Sequence, residues 1–191
     1  MCINSWIKTQ QHLANQAIRS LHNLSTVCNQ MDILTSQKID LFDTLVLPIL
    51  HYSSQLWGYI DADEIGKVHL KFCRNILSVR NSTHIEALYG ELGNIPLSFK
   101  RYINIINYWN ISVHADKKSL IYKMYNMLLN AVNDRQNYNG KKWTFQVKQL
   151  LDSNGLSYIW ENQNPTPLQI NSIINRIKDT YYQQRYSKIN T

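Results

Sequence analysis

Apolar residues recur every three or four positions along almost the whole 191-residue chain, and the strict alternation that marks a half-buried strand is scarce. A chain patterned this way can bury its apolar side only by packing helix on helix, so the expected fold class is all-α, an irregular helical bundle of about eight helices. Trp6, Leu13, Ala17, Ile18, Leu21 and Leu24 place a first helix from about Ser5 to Leu24, ahead of a polar connection from Asn29 to Gln37. From Ser36 onward Ile39, Phe42, Leu45, Val46, Ile49, Leu50, Leu56 and Trp57 are too many for one narrow stripe. That segment reads as a central helix covered on more than one side. Pro48 lies inside it and cannot donate to the Thr44 carbonyl, which predicts a kink or a split.

Gly58 closes the central segment, and Asp61 with Glu64 has the spacing of a capping box, so a third helix is expected to start near Asp61. It buries Ile65, Val68, Phe72, Ile76 and Leu77 and presents Lys67, Lys71 and Arg74 on the opposite side, four and three residues apart. Thr83 and Glu86 repeat the capping spacing before a short fourth helix that Gly93 stops. Asn94 and Pro96 open a fifth helix with Leu97, Ile105, Ile106 and Trp109, and a sixth begins near Lys117. Trp143, Val147, Leu150 and Leu151 form a seventh, stopped by Gly155. In Thr166-Pro167 a capping residue precedes a proline at the first helical position, opening the last helix. The stretch from Asn133 to Lys142 is polar, contains Asn139-Gly140 and lacks apolar periodicity, which makes it the best linker. The expected organisation is 1–58, 59–133 packed on it, a linker at 134–142, and a helical appendage at 143–191.

With 44% hydrophobic and 17% charged residues the chain is no disordered polyelectrolyte. Its formal charge of +7 and pI near 9.3 suit a polyanionic partner. Cys2, Cys28 and Cys73 are an odd number with no close pair, which points away from a disulfide framework and toward a reducing compartment. No secretory leader pattern occurs at the start, and the longest strongly apolar run, Leu45 to Leu50, is far below the roughly 20 residues of a bilayer span. The expectation is an intracellular chain, nucleus and cytoplasm being indistinguishable, with no membrane partner.

Catalysis requires a convergent set of titratable groups, and the carboxylates here fall mostly at helix starts. Asp61 and Asp63 are separated by Ala62 and followed by a helix, unlike the adjacent aspartates of a polymerase palm, so capping outranks metal binding. His69 and Cys73 lie one helical turn apart, but no second pair sits at zinc-finger spacing, and packing at the core edge is the simpler reading. No nucleophile motif or phosphate loop occurs, so no metal, cofactor or small-molecule substrate is expected. What remains is charge interleaved with aromatics: Lys67, Lys71, Arg74 and Arg80, then Lys100-Arg101, Lys117-Lys118, Lys141-Lys142-Trp143, and Arg176 to Lys188 with Tyr181, Tyr182 and Tyr186. Such groups suit phosphates and stacked bases, although a solvated basic face explains them equally.

The run from Leu41 to Gly58 resembles a segment downstream of the catalytic palm in non-LTR retrotransposon reverse transcriptases. Leu41, Phe42, Val46, Pro48, Leu50, Tyr52 and Trp57 match, whereas Ser53 stands where the family usually has Gly and Gln55 where Glu is common. Asn15 to Leu21 resembles the preceding thumb helix and Val68 to Leu77 the helix that follows. Tyr89 to Gly93 and Gly155 to Gln163 resemble blocks in the tails of invertebrate members. The resemblance implies a thumb and C-terminal extension without the finger and palm segments that carry catalysis, which would precede Met1. The chain is then expected to be a non-catalytic fragment that binds nucleic-acid backbone non-specifically, with Lys67, Lys71, Arg74, Arg80, Lys100 and Arg101 touching the phosphates. The competing expectation is a helical protein-interaction module with no nucleic-acid role.

Overall fold

The computed structural model describes residues 3–31, 33–133 and 143–189. Among them the chain is all-α, with eleven helical segments and no strand. They are α1 (Ile3–Gln30), α2 (Thr35–Leu45), α3 (Leu47–Leu50), α4 (Ser54–Trp57), α5 (Asp63–Leu77), α6 (Ile85–Glu91), α7 (Leu97–Val113), α8 (Leu120–Asn133), α9 (Trp143–Ser153), α10 (Ser157–Asn162) and α11 (Pro167–Ile189). The excess over eight has local causes. The central segment is broken into α2, α3 and α4, and α10 is a short helix that periodicity did not single out. Pro48 falls in the first turn of α3, where a missing N–H is harmless, so the break occurs just before it at Val46.

Helix α1 runs past Leu24 to Gln30 because no Gly or Pro interrupts it, and the Ser25 and Thr26 hydroxyls donate back to the Leu21 and His22 carbonyls at 2.9 and 3.1 Å. Two expected caps are absent. Helix α5 starts at Asp63 behind Ala62, which makes no side-chain cap bond, and α6 starts behind His84, not Thr83. Asp63 and Glu64 instead occupy the first turn of α5, where negative charge is favoured by the helix dipole. The Thr166 cap is present: the Gln169 N–H donates to Thr166 Oγ1 at 3.3 Å, and the Thr166 N–H donates to Gln169 Oε1 at 2.8 Å. Gly93 and Gly155 have φ of +62° and +70°, the left-handed conformation that lets the chain leave α6 and α9.

The chain divides into two compact units. Unit 1 comprises Met1–Ser53 and Ile60–Ser98, and unit 2 comprises Ser54–Tyr59 and Phe99–Thr191. The expected linker at 134–142 lies outside the described residues. In unit 1, α1 packs on α2, α3 and α5, burying Leu13, Ala17, Leu21 and Leu24 with Phe42, Val46, Leu50, Ile65, Val68 and Phe72. The rings of Phe42 and Phe72 stack at 3.9 Å. In unit 2, Ile105, Ile106 and Trp109 of α7 form one core with Val147, Leu151, Ile159, Trp160, Ile173 and Ile177 from α9, α10 and α11. There Gly58 follows α4 at close quarters: a Cβ would collide with the Ser54 carbonyl oxygen and stand 2.9 Å from Arg101 Cβ.

Candidate nucleic-acid interface

Helix α5 carries three of the residues expected to touch phosphate, and the structure separates their fates. Ile65, Val68 and Phe72 are buried, while Lys67 and Lys71 are exposed one turn apart on the other side. Lys67 is engaged locally: Nζ lies 2.6 Å from Glu64 Oε1, and that hydrogen bond and charge hold its pKa above the usual lysine value. Arg74 is half-buried, and its Nε is out of solvent without a hydrogen-bond partner. Arg80 is exposed beyond the left-handed Ser78 that caps α5.

Lys100 and Arg101 belong to unit 2, and the structure corrects the surface placement expected of Arg101. It is 5% exposed, its guanidinium lies 5.7 Å from the centroid of the Trp57 ring, and Nε–H donates to the Gly58 carbonyl at 3.4 Å. The absence of a Cβ at Gly58 lets α7 approach α4 closely enough for this. A guanidinium stacked on an aromatic face inside the fold is a packing element, and no external phosphate reaches it. Lys100 is half-buried.

His69 and Cys73 are both buried in unit 1, as core packing requires. The His69 ring stacks 5.5 Å from Phe42, with Nδ1 3.4 Å from the Tyr89 hydroxyl. Among the described residues no group of three or more His, Cys, Asp or Glu is gathered for a metal ion. In unit 2, Trp109 Nε1–H donates to the Tyr125 hydroxyl at 3.0 Å, and that hydroxyl donates to Gln163 Oε1. Burial pushes the Tyr125 pKa up to about 12, so the phenol stays protonated and acts as a link between helices.

Charge is distributed unevenly between the two units. Unit 1 holds seven Lys and Arg against eight Asp and Glu, whereas unit 2 holds thirteen against five. The entire positive surplus therefore belongs to unit 2, and counting charges after Ser98 would have found it. Lys117, Lys118, Lys123, Arg176 and Lys178 are exposed there. On α11, Tyr182 and Tyr186 are 38% and 68% exposed one turn apart. With Arg176, Asp179, Gln183 and Asn154 they line a groove of about 530 Å³ between the end of α9 and α11. Asn154 is held in place, donating to the Leu150 carbonyl at 2.8 Å and accepting from the Thr180 hydroxyl at 2.9 Å.

Comparison with protein-family models, curated proteins and solved structures found no match to this chain. Among the described residues no helix is long and apolar enough to cross a membrane.

Proposed function

We propose that the chain is the thumb and post-thumb part of a non-LTR retrotransposon reverse transcriptase, binding nucleic-acid backbone without catalysing a reaction. The observation that carries this reading is the surplus of positive charge in unit 2, the unit that also exposes Tyr182 and Tyr186 on α11. Cations attract phosphate through counterion release, and exposed aromatic rings stack bases of any sequence. Ser53 adds support for the resemblance: its φ of +54° is a conformation in which glycine, the usual residue of the family at that position, is unstrained. The basic side of α5 contributes less, because Lys67 is engaged by Glu64 and Arg74 is half-buried.

The test is fluorescence anisotropy of labelled single strands and duplexes against rising salt. Affinity should fall linearly in a plot of log K against log salt and depend little on sequence. Primer extension with nucleotides and Mg²⁺ should yield no product. Absence of binding at low salt would favour the second reading, a protein-interaction module. That reading has its own support on α8, where Leu120, Ile121, Met124 and Met127 are 71%, 40%, 52% and 63% exposed along one side.

A further inference from the structure

Unit 1 contains a cavity that the nucleic-acid reading does not use. Helix α1 continues past its last buried leucine, Leu24, to Gln30, and α5 ends at Leu77, where the left-handed Ser78 turns the chain away. Between these two helix ends, with Lys38 of α2 at the side, lies a space of about 360 Å³. That is the lower part of the size range of small-molecule sites, ~300–1,000 Å³. Its floor is apolar and firm: Leu21, Leu24 and Phe72 are 3%, 6% and 4% exposed, and Phe72 is backed by the stacked ring of Phe42.

The walls carry opposite chemistry. Lys38 and Arg74 both line the cavity, and among the described residues no Asp or Glu does. Arg74 Nε is removed from water without an acceptor, although a buried guanidinium N–H is among the costlier groups to leave unpaired. The carbonyls at the end of α5 are already engaged, that of Arg74 by the Val79 N–H at 3.2 Å and that of Asn75 by the Ser78 N–H at 3.3 Å. An acceptor from outside the fold would satisfy the guanidinium, and two cations with no carboxylate among the described lining residues favour an anionic one. A bare inorganic anion would leave the leucine and phenylalanine floor uncovered. A neutral apolar molecule would leave the cations unpaired. We infer that this cavity binds a small amphiphilic anion, one acid group on an apolar body, with Arg74 and Lys38 holding the acid and Leu21, Leu24 and Phe72 covering the body.

Cys28 supplies a local reporter, since its free, half-buried thiol lines the same cavity. The full chain is treated with N-ethylmaleimide, and modification of Cys28 is followed by peptide mass spectrometry with and without each probe. Decanoate, with a flexible chain, and 2-naphthoate, with a planar ring, should each slow the reaction severalfold. Whichever protects better tells whether the natural body is lipid-like or aromatic. 2-Naphthalenemethanol and inorganic phosphate should give little protection. Arg74→Gln should abolish the effect, and so should Asn75→Trp, which fills the mouth of the cavity from an exposed position while keeping both cations. Failure of both acids to protect, equal protection by the alcohol or by phosphate, or protection that persists in Asn75→Trp or in folded Arg74→Gln would overturn the inference. The nucleic-acid reading is unaffected by any of these results, because its groove lies in unit 2.

Discussion

Trp57 combines complete burial with a cation on its face and a glycine behind it. Removing the indole leaves a buried cavity and takes the aromatic face away from the Arg101 guanidinium, so Trp57→Ala should cost about 3–5 kcal/mol in urea denaturation. Tyr125 makes a different kind of prediction. Its hydroxyl accepts from Trp109 and donates to Gln163, so Tyr125→Phe leaves two groups unpaired and should cost about 1–3 kcal/mol. The same hydroxyl imposes a pH dependence. The unfolded chain releases this proton at the ordinary value of 10.0, whereas the folded chain holds it to about 12. Between those values the folded state binds a proton that the unfolded state has released, so raising the pH favours unfolding. This contribution is fully present below pH 10 and disappears as pH rises toward 12. Tyr59 is shifted upward by burial as well, so the Tyr125 share is read as the difference between parent and Tyr125→Phe stability curves.

At the scale of elements, the caps offer a matched comparison. Asp61 with Glu64 and Thr166 with Gln169 carry similar capping signals in sequence, yet only the second pair makes the bonds. Thr166→Ala should therefore destabilise by about 0.5–2 kcal/mol. Asp61→Ala should stay within about 0.5 kcal/mol, since Asp61 is exposed and precedes the helix. Chemical denaturation of the two variants side by side checks the assignment. The signal misled at Asp61 because a capping motif states only what a side chain can do. Whether the helix begins there depends on where the chain leaves unit 2 after Tyr59 and enters α5. Pro48 was legible for the opposite reason, because a missing N–H acts on its own helix whatever the surroundings.

Across the whole molecule, the division of charge makes the two candidate surfaces separable. If the unit 2 surface binds a single strand, Lys117→Gln, Lys118→Gln and Arg176→Gln together should flatten the salt slope by about 0.7 for each phosphate that is no longer neutralised. Lys67→Gln with Lys71→Gln should leave the slope near that of the parent, because those residues belong to the unit whose charges nearly cancel. Tyr182→Leu with Tyr186→Leu should weaken binding alike for strands of different sequence, by about 1–3 kcal/mol per stacked base. Anisotropy titrations of the three variants decide among these outcomes. A slope altered by the α5 pair alone would return the interface to α5.

The helical period, the stops at Gly93 and Gly155, the Thr166-Pro167 start, the break near Pro48 and the burial of Trp57 were all determined by sequence alone. Four of these are settled within about one helical turn, where backbone hydrogen bonds and local dihedrals dominate, and the fifth follows from a large apolar side chain at the end of a dense apolar run. Tertiary structure decided what depends on residues distant in the chain. It buried Arg101 against Trp57, 44 positions earlier, by bringing α7 onto α4 at Gly58. It also turned Arg74 toward a cavity formed with α1 and α2, and left part of the apolar pattern of α8 in solvent. A periodic pattern shows that a helix has an apolar side and a charged side. Only packing determines which neighbour covers the first and whether the second faces water.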